Sequence, residues 1–439
     1  MKNKIDILFF NRQFESEPQI ALITDEKPPA RISHRVSSQQ AALTWRISMI
    51  YIKNGLLYTM QGKSGLGEKR GNILIKDGKI AAVGEQELLP PDFEGEILNA
   101  EDCIVMPGII EAHCHMGITE EKKGMEGDDC NETEDPVTPY LRAIDAINPM
   151  DAAFGEAVRA GITAAMIGPG SSNVVGGQFA FVKTFGRRID DLIVKAPAAM
   201  KVAFGENPKV NYSGQNKMPS TRMAIASMLR EELFLAKQYM MQKEKKTDDF
   251  KEDYRYECWL PVLKKEIPLK VHVHRADDIY TAIRIAQEYD LNITLDHCTE
   301  GHLIAEDIFK TGYPVILGPH LASRSKIEIQ YASFKTAGIM EKNNILLAIT
   351  TDHPVSLIQS LPYCAGLAVK AGLSMEEGLR AITINPAKIC GVADRMGSIE
   401  VGKDADIAVF SGNPMEIFTE TFYTIIDGRI VHRRKDVVK

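Results

Sequence analysis

No run of apolar residues in this 439-residue chain approaches the roughly 18 that a bilayer-crossing helix needs, so a helical membrane span is not expected. A basic excess is also missing: 52 Lys+Arg stand against 59 Asp+Glu, a net charge of −7. Nucleic acid is therefore not expected as a partner, because phosphate binding needs a basic patch. The seven cysteines, Cys103, Cys114, Cys130, Cys258, Cys298, Cys364 and Cys390, are odd in number and scattered, and no two form a CxxC pair. That usage does not read as a disulfide framework; reduced thiols in a cytoplasmic protein are expected. The first residues, Met1–Asp6, are charged and lead into no long apolar core, so no secretory signal is read there. Core material is plentiful, with 44% hydrophobic and 25% charged residues, which excludes a disordered or fibrous chain.

Residues 1–48 are polar and mixed in charge, and an extension with little structure of its own is expected. From 49 to 105 the signals are short strands and turns. Asp77-Gly78 and, near the other end, Asp427-Gly428 each separate two strand-like runs and predict tight hairpins. Two β-rich ends, 49–105 and 391–435, predict one small β-sandwich domain built from both chain ends. The stretch between, 106–390, alternates apolar runs with helical ones. The runs include Cys103–Met106, Ile162–Ile167, Ala199–Phe204, Leu269–His274, Ile293–His297, Pro314–Leu317 and Leu346–Thr350. Helices are predicted at Pro149–Ala160, Thr221–Gln242 and Ile279–Tyr289, and a solvated charge-dense stretch at 243–257. This alternation predicts an α/β fold of parallel strands and crossover helices, closed as a TIM-type (β/α)8 barrel.

Barrel active sites are built at the C-terminal ends of the strands. There the sequence places Glu111-Ala112-His113-Cys114-His115, His272-Val273-His274, Asp296-His297 and Thr351-Asp352-His353. Positions i and i+2 of a strand point the same way, so His113 and His115 project into one space as a chelate suited to zinc, iron or manganese. A lone HxH is weak, but six of the ten histidines fall in these four places, and that concentration makes a metal site the better reading.

Pro107-Gly108-Ile109-Ile110-Glu111-Ala112-His113-Cys114-His115 resembles the first-strand signature of the amidohydrolase superfamily. With the closing Asn385-Pro386-Ala387-Lys388 and Gly397–Asp406 segments, the likeness extends over nearly all of 49–435 and is greatest to the imidazolonepropionase-related branch. The resemblance implies a divalent metal, zinc first with iron or manganese as alternatives, one or two per chain. It implies His113, His115, His272, His297 and Asp352 as ligands, with Asp352 and His297 carrying catalysis and Asp352 taking the proton of the attacking water. His274 replaces His272 or contacts substrate. Many members carry a bridging ligand on the fourth strand. Glu206, just past the apolar run, is the favoured candidate here; a carboxylated Lys201, inside the run, is the second, and a structural role for both the third.

Substrate contacts are expected from Gln178, at the end of the glycine-rich stretch 168–178, and from His320 and Arg324, which suit a carboxylate or act structurally. Tyr212 and Arg222 are lesser candidates beyond the Glu206 loop. The leading functional reading is hydrolysis of an amide, lactam, or N-acyl amino acid or dipeptide-like C–N bond. Deamination of a cyclic amidine is the alternative; His272-Val273-His274-Arg275-Ala276-Asp277-Asp278 lacks the glutamate such enzymes carry there. A non-catalytic assembly homologue is the third reading, opposed by the complete ligand set. A small-molecule substrate and a homo-oligomeric assembly are expected.

Overall fold

The computed structural model describes residues 49–62, 69–121, 124–245 and 250–435; the extension expected at 1–48 lies outside them. Sixteen strands are formed among the described residues, in two sheets. Those of the first half are β1 (Met49–Leu57), β2 (Lys69–Lys76), β3 (Lys79–Gly84), β4 (Gly95–Asn99), β5 (Ile104–Pro107), β6 (Ile109–Cys114), β7 (Ile162–Ile167), β8 (Val175–Lys183) and β9 (Ile193–Ala203). The rest are β10 (Leu269–Val273), β11 (Ile293–His297), β12 (Val315–Leu317), β13 (Leu347–Ile349), β14 (Ile407–Phe410), β15 (Thr421–Ile426) and β16 (Arg429–Arg433).

Both chain ends contribute to one mixed sheet, ordered β16-β15-β14-β5-β1-β2-β3, with β4 added beside β1. The Asp-Gly turns close its two hairpins. Asp77 and Gly78 have φ of 51° and 78°, and Asp427 and Gly428 have 47° and 69°, as a tight turn with two left-handed residues requires. The expected barrel run Cys103–Met106 belongs to this sheet instead: β5 pairs with β1 and β14.

The second sheet runs β6 to β13 in sequence order and curls into a nearly closed barrel. At the seam the backbone of 381–382 bridges the two edges. Ile110 N donates to Ile382 O, and Ile349 N donates to Ala381 O. The strands are not all parallel, as the alternation had suggested: β8 is antiparallel to β7 and β9, so no crossover helix separates the three. Helices Ala152–Arg159, Arg222–Lys245 and Ala276–Tyr289 form close to where helical patterning predicts them. The first starts at Asp151, whose side chain accepts from Ala153 N as an N-cap. No described helix is long and apolar enough to cross a membrane.

Candidate metal centre

The lumen-facing positions of adjacent strands come into register. Lys201 of β9 lies beside Lys270 of β10, and His272 beside Asp296 of β11. Alternation then puts Lys270, His272 and His274 on one side of their strand. Two site residues sit where the chain leaves its strand in a left-handed conformation, His297 (φ 69°) and Asp352 (φ 52°). Such backbone strain in non-glycine residues is concentrated at functional sites.

Four of the histidines are held by their Nδ1, which leaves Nε2 to face the centre, whereas His272 meets Asn207 Nδ2 through its Nε2 at 3.4 Å. His113 Nδ1 donates to Asp296 Oδ2 at 2.5 Å. Asp296 is itself held by Lys270 Nζ at 3.0 Å and by the Thr294 hydroxyl at 2.6 Å. His115 Nδ1 donates to Gly168 O (2.6 Å) and His297 Nδ1 to Gly318 O (2.7 Å). His274 Nδ1 lies 2.8 Å from Thr299 Oγ1. On the inner side, Asp352 Oδ1 is 3.2 Å from His115 Nε2 and 3.6 Å from His113 Nε2. That oxygen is buried and makes no aligned hydrogen bond. Zinc–ligand distances of about 2.0–2.2 Å set neighbouring donors roughly 3–4 Å apart, so these three atoms fit a shared cation.

Two buried donor groups result, His113/His115/Asp352 and His272/His274/Glu328. His297 lies among them, its ring centroid 4.5 Å from His272, 5.0 Å from His274 and 5.2 Å from His113. Burial, reinforced by neighbouring positive groups, keeps His113, His272 and His274 well below the ordinary imidazole pKa, in the neutral form a cation needs. His115 goes the other way. Burial opposes its charge, yet Cys130 and Asp352 beside it raise it to about 10. Burial would also raise Asp352, but His297, His115 and Lys201 hold it below the usual carboxylate range.

The fourth-strand assignment changes. Lys201, not Glu206, reaches the centre: its Nζ is 3.1 Å from His113 Nε2. Burial brings the amine to about 8, with Lys270 lowering it further and Asp296 and Asp352 opposing. Glu206 opens the helix Glu206–Ser213, is partly exposed and belongs to neither donor group; its backbone N–H donates to Glu328. Gln178 is also displaced. It lines a separate pocket with Arg142, Pro197 and Cys258, and its Nε2 donates to Pro139 O, because β8 turns it away from the centre. Tyr212 donates to Asp135 O and Arg222 pairs with Asp278, so both serve the scaffold.

A cavity of about 1240 Å³ opens above the donors, with His115, His272, His274 and Asp352 on its floor. His320 and Arg324 lie in its wall, with Lys326 and Lys335. Desolvation lowers His320 to about 4, and its buried Nδ1 has no partner. Asp296, Lys270, Glu328 and Lys326 carry no role in the sequence reading. Asp296 is adjacent to the ligand candidate His297 and shares its strand end, which is a usable signal; Glu328 and Lys326 lie in an irregular loop whose pattern gives none.

The amidohydrolase family model matches residues 104–431. Amidohydrolase tasK of Hapsidospora irregularis is 26% identical over 417 residues, covering 86% of this chain but 42% of that longer protein. Imidazolonepropionase of Brucella anthropi is 22% identical over 389 residues, covering 80% of this chain and 89% of its own. A crystal structure of an amidohydrolase from Thermotoga maritima MSB8 is 40% identical and superposes with a TM-score of 0.84, over 88% of this chain and 100% of that one. Matched over three-quarters of its length, with its histidines and aspartate gathered at the barrel mouth, the chain belongs to the amidohydrolase family.

Proposed function

We propose that the protein is a metal-dependent hydrolase of a C–N bond in a small anionic amide, such as an N-acyl amino acid, a dipeptide-like compound or a lactam. One observation carries this reading: the Nε2 atoms of His113 and His115 converge on a buried Asp352 oxygen, and a second group with His272 and His274 stands beside them under the same cavity. The donor set of imidazoles and carboxylates, with His115 giving up its proton on loading, suits zinc, with iron or manganese as alternatives. A divalent cation bound there would polarise the scissile carbonyl and acidify the attacking water. Asp352, held ionised, accepts the proton of that water and returns it to the leaving nitrogen. His297 completes the donor ring between the two groups. Buried Lys201 sets its amine against His113 Nε2 at the edge of this donor set.

The cavity wall supports an anionic substrate. Arg324, Lys326 and Lys335 face Asp128 alone among the acids of the wall away from the floor. A guanidinium can grip a carboxylate through two parallel hydrogen bonds, and His320 Nδ1 is free to accept one from the substrate. A screen of metal-loaded protein against N-acyl amino acids, dipeptides and cyclic ureides tests the reading. Amine release, fastest from substrates with a free carboxylate and slowed by amidating it, is expected. Turnover confined to ammonia release from amino-substituted heterocycles would mean a deaminase instead.

A further inference from the structure

We infer that His272, His274 and Glu328 form a cation site of their own beside the His113/His115/Asp352 group, so that the second cation needs no ligand shared with the first. This rests on the metal-dependent reading above and specifies which residues take the second ion.

The three donor atoms lie within 4.8 Å of one another, and all three residues are buried. Glu328 is 2% exposed. Its Oε2 accepts from Glu206 N at 2.8 Å, but its Oε1 is buried with no hydrogen-bond partner. An orphaned carboxylate oxygen in such a place is costly unless something satisfies it. The obvious neighbour is His274 Nε2, 3.8 Å away, too far for a hydrogen bond. That gap matches two ligands on one cation, which lie roughly 3–4 Å apart at zinc–ligand distances of about 2.0–2.2 Å. With its Nδ1 placed on Thr299 Oγ1, His274 has its Nε2 available.

The backbone is shaped around this carboxylate. Gly205 has φ 84°, and a Cβ there would come within 2.5 Å of Glu328 Oε2, so only glycine leaves it room. One neighbour opposes a cation: Lys326 Nζ lies 3.7 Å from Glu328 Oε1 while it donates to Asn207 Oδ1. Lys326 also lines the cavity, so a cation on Glu328 would turn its amine toward a bound anion. Each group then brings two imidazoles and one carboxylate, which neutralises half the charge of its own ion without a bridge.

Metal content of the full chain tests this. Wild type and the variants Glu328→Gln, His274→Gln, Lys326→Gln and Lys201→Met are loaded with Mn(II), and metal per chain is measured together with electron paramagnetic resonance. Two ions per chain are expected in wild type and Lys201→Met, and one in Glu328→Gln and His274→Gln. Lys326→Gln should hold its second ion at least as tightly as wild type. The wild-type spectrum should be that of two weakly interacting ions. Circular dichroism identifies a variant that has failed to fold, in which case the wild-type spectrum decides. Strong magnetic coupling in wild type, or a second ion lost from Lys201→Met but kept in Glu328→Gln, overturns the inference. One ion per chain in wild type also overturns it and leaves the hydrolase reading standing, whereas no bound metal with hydrolysis intact removes both.

Discussion

Asp296 touches no proposed cation directly, yet it fixes His113, and Lys270 and Thr294 fix it in turn. Loss of such an outer partner weakens metal binding by about 10–100-fold. Asp296→Asn should do so in a competition titration against a chromophoric chelator, with the fold unchanged by circular dichroism. Asp352→Asn removes the proposed base and a ligand together; a drop in kcat of about 10²–10⁴-fold is expected. The pH dependence has two opposite parts. His115, raised to about 10, must lose its proton to bind a cation, so loading should release a proton and tighten as pH rises toward 10. A pH-stat titration reads this directly. His320, lowered to about 4, stays neutral in the fold while the unfolded ring takes a proton near pH 6.5. The unfolded state then binds more protons, so this ring's share of stability falls as pH drops from about 6.5 to about 4. His320→Phe should flatten that part of the curve in urea unfolding. The histidines were legible in the sequence because core packing calls for apolar residues at strand ends, whereas HxH and Asp-His pairs stand there instead. Lys201 rather than Glu206 faces the centre for a local reason. Gly205, with its positive φ, turns the chain into a helix and directs Glu206 outward, while Lys201 faces the lumen from within an apolar run.

Glu111 shows how the elements are tied together. One carboxylate oxygen accepts from His113 N, and the other accepts from the backbone N–H and the hydroxyl of Thr351. Strand β6, which carries His113 and leads into His115, is thereby locked to the turn that carries Asp352. Glu111→Ala would leave buried donors unpaired at about 1–3 kcal/mol each. A lowered Tm with a fall in kcat is expected, and a variant with unchanged Tm and kcat would refute the tie. The elements also show where patterning fails. Gly176-Gly177 looks like a ligand loop, yet it begins β8, whose antiparallel pairing dispenses with the helix that alternation predicts. Cys103–Met106 reads as a barrel strand because it is apolar throughout. It runs on through Gly108 into β6, so that β5 joins the end sheet and β6 the barrel, and no periodicity marks the change.

At the scale of the whole molecule, the end sheet and the barrel are joined by a buried ion cluster. Lys183 Nζ of β8 meets Asp406 at 2.7 Å, Asp427 at 3.0 Å and Asp404 at 3.2 Å, and Arg395 and Lys79 also reach Asp404. Lys183→Met would leave the buried Asp406 carboxylate without its cationic partner, a cost on the order of 3–5 kcal/mol. One cooperative thermal transition at lower temperature is expected; two separate transitions would show that the sheets unfold independently. The association of the two chain ends was legible from their paired Asp-Gly hairpins. The lysine that joins them was not, because a single Lys in an apolar run gives no hint of partners more than 200 positions away. The central claim is that this molecule cleaves amides with a cation held by its own histidines and Asp352. The most direct test is the hydrolysis rate of an N-acyl amino acid by chelator-stripped protein, verified metal-free by elemental analysis, before and after Zn(II) is restored. The rate should fall to the uncatalysed background and return with the metal; a metal-free protein that keeps its full rate would contradict the account.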